Sequence, residues 1–189
     1  MADQLYLSCW VRGFTENNML RWFEKLLRTF PFSRLARNPS TLKITPVEFT
    51  VPPVLERPFE TPLQISEVII ASKEFLNVDC CYQLDTFWDL WQYDGSEWAV
   101  APSRASLFCF GPEFEKDLGE HLRIDFGVDA NYLPHPDLPG SAKMVESNIR
   151  SLLKLVHDVD DALNVERRQL WTESGDNFAE RLQQALSEA

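Results

Sequence analysis

Residues 4–13 alternate between apolar and polar positions. Leu5, Leu7, Cys9 and Val11 fall on one side, and Tyr6, Ser8, Trp10 and Arg12 on the other. A period of two predicts a strand, which Gly13 ends. Met19, Leu20, Phe23, Leu26, Leu27 and Phe30 then recur at helical spacing until Pro31, with Thr15 to Asn18 available as caps. Residues 40–51 read as one or two strands through Leu42 and Ile44, then Val47, Phe49 and Val51. Prolines 46, 52, 53, 58 and 62 follow closely, so this part is an edge strand or an extended arm. Thr61-Pro62-Leu63-Gln64 has the form of a capping box, opening a helix with the stripe Ile65, Val68, Ile69, Ser72 and Leu76.

The segment 80–128 reads as an antiparallel meander. Its strands are Cys81 to Tyr93, Trp98 to Ala101, Arg104 to Phe110 and His121 to Val128, with turns at Asp94-Gly95 and Gly111-Pro112. A proline-rich loop, Asp129 to Gly140, leads to a long helix capped by Ser141. Its stripe is Val145, Ile149, Leu152, Leu153, Val156, Val159 and Leu163. A last helix, opened near Gly175-Asp176, carries Phe178, Leu182, Ala185 and Leu186. The order β-α-β-α-β-β-β-β-α-α bunches its strands. It predicts an α+β fold with an antiparallel-rich sheet of about six strands and helices packed on one face. No linker or repeat divides the chain, so residues 1–189 are expected to form one domain.

Composition narrows the function. The 189 residues carry 29 acids against 18 lysines and arginines, a net charge of −11. The excess lies in residues 46–140, with 17 acids and 5 bases. Nucleic-acid binding needs clustered cations and is not expected. No apolar run approaches the roughly 18 residues of a membrane span, and the N-terminus does not read as a signal peptide. Cys9, Cys80, Cys81 and Cys109 lie in apolar strand-like runs without a C-x-x-C pair, which predicts buried thiols in the cytoplasm.

Glycine-rich phosphate loops and nucleophile elbows are absent, and no cofactor is implied. Nor does any His/Cys spacing predict a metal site. His121 and Asp125 are four apart in a strand, about 13 Å, too far to share an ion. His157 and Asp161 are one helical turn apart and can pair. No catalytic residue is assigned.

The most informative feature is a cluster of rings and acids. On the 81–93 strand, Tyr82, Leu84, Trp88 and Leu90 share one face. Asp85, Phe87, Asp89, Trp91 and Tyr93 share the other. Ser106, His121, Arg123 and Asp125 can join that second face, with His121 meeting Asp85 or Asp89. The expected binding residues are therefore Asp85, Phe87, Asp89, Trp91, Tyr93, His121 and Arg123. This points to a non-catalytic interaction or regulatory domain that meets a basic protein, or a second copy, on an acidic aromatic face. The alternative is a small-molecule site or enzyme between the meander and the 129–140 loop, with His121 as acid or base. A third reading makes the chain a structural component of a larger assembly; the plainest makes the face itself structural, its rings covered by a helix and its carboxylates paired with Arg104 and Arg123.

Overall fold

A computed structural model describes residues 3–175 and 178–187. The elements run β1 (Gln4–Val11), α1 (Met19–Thr29), β2 (Ser40–Pro46), β3 (Leu55–Phe59), α2 (Ile65–Glu74), β4 (Cys80–Tyr93), β5 (Trp98–Phe110), β6 (Leu122–Val128), α3 (Ser141–Leu163), β7 (Val165–Thr172) and α4 (Phe178–Ser187). The fold is α+β. Its seven strands form one antiparallel sheet in the order β3-β2-β4-β5-β6-β1-β7.

Alternation decides which face is covered. Leu5, Leu7 and Cys9 of β1, Leu42 and Ile44 of β2, and Tyr82, Leu84, Trp88 and Leu90 of β4 are buried on one face. They join the apolar stripes of all four helices in one core. On the opposite face a small second core gathers Cys81, Phe108, Phe110 and Phe114. No described helix is long and apolar enough to cross a membrane.

The strands differ from expectation at three places. Trp98 to Phe110 is one strand rather than two, running through Pro102 opposite Asp89. Proline is tolerated because β6 pairs with β5 only over Ser106–Cys109, which leaves one edge free there. Val47, Phe49 and Val51, expected to carry a strand, lie instead in a loop after Pro46, and the proline-rich arm forms its edge strand, β3, only at Leu55–Phe59. The third is β7, an edge strand between the last two helices. Asn164, in the left-handed conformation at φ 50°, ends α3 and lets the chain turn back along β1.

Helix starts also differ. Ser141 does not cap α3: Gly140 holds the N-cap, and the Ser141 hydroxyl accepts from His135 N–H at 2.8 Å. Thr61-Pro62 is a cis peptide in a turn, and α2 begins only at Ile65, so no capping box forms. The Asn18 side chain ties down the Gly13–Thr15 turn instead of capping α1. Leu153 and Leu76 face solvent, because Leu155 takes the buried position on α3 and α2 ends before Leu76. Asp176 lies outside the described residues.

Candidate functional site

The helix-free face is built from rows of side chains that strand register sets side by side. One row runs Thr41, Asp85, Ser106, Asp125, Tyr6, Trp171 across β2, β4, β5, β6, β1 and β7. The next runs Lys43, Gln83, Phe108, Arg123, Ser8, Gln169. All of these residues alternate with the core positions, which is why they share the face.

Arg123 is the centre. Its guanidinium lies 5.1 Å from the Phe110 ring, 5.5 Å from Tyr6, 5.9 Å from Phe108 and 6.0 Å from Trp171. It pairs with Glu120, which is itself buried. Tyr6 and Trp171 pack at 4.6 Å, and Trp171 Nε1 donates to Ser8 Oγ at 2.9 Å. Asp85 accepts from Gln83 at 2.6 Å and Ser106 at 2.7 Å and pairs with Lys43 at 2.9 Å. Burial pushes the Asp125 carboxyl above its ordinary range, although Gly127 N–H donates to it. Burial, with Asp125 and Glu173 nearby, raises the Tyr6 phenol to about 12. The Tyr6 hydroxyl donates to Glu173 at 3.2 Å.

The other expected residues are dispersed. Phe87 C=O accepts from Ser33 N–H at 2.8 Å, and the Asp89 carboxylate accepts from the Ser33 hydroxyl and, at 2.9 Å, from Arg34 N–H. Together they anchor the turn after α1. The Trp91 backbone is clamped by Asn148 of α3: its N–H donates to Oδ1 and its C=O accepts from Nδ2, both at 2.9 Å. Tyr93 packs on Trp98 at 5.5 Å at the hairpin end. Of the seven, only Asp85 and Arg123 stand in adjacent rows of the ring-lined patch.

His121 meets neither Asp85 nor Asp89. It stacks on Phe14 at 4.3 Å, and its Nδ1 accepts from Val11 N–H at 2.9 Å. Burial holds its pKa below the ordinary 6.5. The folded state therefore favours neutral imidazole, and His121 contributes stability above about pH 6.5 that is lost as pH falls through its folded pKa. Urea unfolding between pH 7.5 and 5 should show a steeper loss of stability for the wild type than for His121→Gln. Equal slopes would refute the assignment.

Sequence reasoning missed Tyr6, Trp171, Lys43 and Glu120. The β1 alternation had already placed Tyr6 opposite the core, but Trp171 needed β7 to be seen. The ion pairs imagined for Arg104 and Arg123 with strand carboxylates do not form: Asp85 takes Lys43, and Arg123 takes Glu120. His157 does pair with Asp161, at 3.3 Å. All four cysteines are buried and unpaired, so no Cys80–Cys81 disulfide exists. Burial raises their pKa values, to about 12 for Cys9 and about 11 for Cys80, so the thiols stay protonated at neutral pH. Among the described residues no group of three or more His, Cys, Asp or Glu could hold a metal ion.

Where β6 parts from β5, a hollow of about 540 Å³ is lined by Gln4, Gln92, Arg104, Ser106, Asp125 and Asn131. A larger one of about 730 Å³ lies between the 133–142 loop and α4. Set against protein-family models, curated proteins and solved structures, the chain matches none.

Proposed function

We propose that this chain is a non-catalytic protein-interaction domain that docks a partner on the helix-free face of its sheet. One observation carries the reading. All the described helices pack on one face, while the other presents half-exposed Tyr6 and Trp171 around Arg123, with Trp10 under Arg167. Tyrosine, tryptophan and arginine on a rigid platform are the side chains that dominate interface energies, because each buries a large area at small entropic cost. Asp85 is neutralised by Lys43, and Asp89 is consumed by the turn after α1, at Ser33 and Arg34. Neither is a steering charge, so rings rather than those two acids anchor the partner. Four unpaired thiols support a reducing compartment such as the cytoplasm.

The test is selection of binders from a displayed random-peptide library, followed by amide shift mapping on the full chain. Perturbed amides should cluster in β1, β5, β6 and β7. Trp171→Ala combined with Tyr6→Ala should weaken binding by about tenfold or more, as expected for paired hot spots. Binders that map to the helices, or binding indifferent to the double substitution, would overturn the proposal.

A further inference from the structure

One end of the same face points to the chemistry of its partner. The loop from Val47 to Val54 leaves β2, folds over the second core and exposes three apolar side chains: Val47 at 53%, Phe49 at 43% and Val54 at 50%. The loop is firmly held. Val47 N–H donates to Asp79 C=O at 2.8 Å, Glu115 N–H to Val47 C=O at 2.9 Å, and Val54 N–H to Ile44 C=O at 2.8 Å. Val47 sits at φ 66°, a conformation that β-branched residues seldom adopt. Phe49 stands edge-on to Phe114 at 5.1 Å and to Phe108 and Phe110 at 6.2 Å, so its exposed side rests on a packed aromatic base.

The segments that meet here, 46–56, 76–80 and 111–121, contain seven acids: Glu48, Glu56, Asp79, Glu113, Glu115, Asp117 and Glu120. Lys116 is their only lysine or arginine. Glu120 is buried and neutralised by Arg123, so this corner carries an excess of five negative charges, nearly half of the chain's −11. Apolar anchors inside a rim of one sign select a partner of the opposite sign, because like charges brought together across an interface cost several kcal/mol. A second copy would bring two such rims together, and nucleic acid or an anionic bilayer is repelled in the same way.

We infer that the partner is a cationic protein segment with apolar anchors, seated on Val47, Phe49 and Val54 at the acidic end of the face. This rests on the interaction reading above and adds the partner's chemistry.

The experiment uses the full chain and two synthetic amphipathic peptides, one of lysine, leucine and phenylalanine and one with glutamate for every lysine. Titration calorimetry should show binding of the lysine peptide alone, weakened about tenfold when salt rises from 0.05 to roughly 0.5 M. Glu48→Gln with Glu113→Gln and Asp117→Asn should weaken it by about fivefold or more, and Phe49→Ala by about tenfold. Glu146→Gln with Asp158→Asn and Asp161→Asn, on α3, removes equal charge elsewhere and should leave affinity within about twofold. Circular dichroism confirms that each variant is folded. Equal binding of both peptides, or equal losses from the two triple variants, would overturn the inference. If library-selected binders still map to β1 and β7 in that event, only the partner's chemistry falls. If they do not, the docking face falls too.

Discussion

Replacing Arg123 with alanine is expected to destabilise the protein by about 3–5 kcal/mol, because the substitution strands a buried carboxylate. The side chain of Glu120 is 4% exposed and that of Arg123 is 14% exposed. Neither charge can fall back on bulk water once its partner has gone. Alanine also removes the guanidinium from between Tyr6, Phe108, Phe110 and Trp171, each ring losing a close contact. The pair itself is a different quantity. Removing both charges, with Arg123→Met and Glu120→Met together, trades an ion pair for apolar packing and should lie within about 1 kcal/mol of wild type. The four proteins make a double-mutant cycle, read by urea unfolding at pH 7. A loss below about 1 kcal/mol for Arg123→Ala would mean that Glu120 finds water, and that the centre of the face is wet rather than packed.

The contrast between face and scaffold shows what was legible beforehand. Local pattern sufficed for β1, where Leu5, Leu7 and Cys9 alternate with Tyr6, Ser8 and Trp10. It sufficed for α1, whose stripe ends at Pro31, and for the two faces of β4. It failed for β7. Glu166, Arg167, Arg168 and Gln169 are good helix formers, and they become a strand only because β1 offers them an edge. Their charges suit an outermost strand, which must not recruit further strands. Pro102 misled in the opposite direction, reading as a break where one edge of the strand is free. The site was less legible than the fold for a related reason. Asp85, Phe87, Asp89, Trp91 and Tyr93 do share a strand face, but what covers each is set by distant segments: the turn after α1 over Phe87 and Asp89, and Asn148 at Trp91. The Arg123 cluster draws on β1, β5, β6 and β7, so no window along the chain contains it.

Trp88→Ala should be the costliest single truncation in the core, at about 3–5 kcal/mol. Trp88 is 2% exposed and packs on Phe126 at 5.4 Å, Phe30 at 5.9 Å and Tyr132 at 6.4 Å. It thereby joins the end of α1, strand β6 and the turn at Asp129–Tyr132. Those rings come from separate elements and cannot all collapse into the space left by an indole, so most of the cavity persists. For a chain of this size the loss corresponds to a fall in Tm of roughly 6–20 °C. Trp88→Phe separates packing from polarity. The Trp88 indole N–H is buried without a hydrogen-bond partner among the described residues. Phenylalanine therefore gives up no hydrogen bond and removes a donor that burial leaves unsatisfied. It should cost only about 1–2 kcal/mol, the packing of the lost ring alone. Thermal unfolding of both variants provides the check. If Phe and Ala substitutions cost the same, the indole N–H has a partner and Trp88 acts through that bond. If Ala costs less than about 1.5 kcal/mol, the rings around it close up, and the three elements are not held together there.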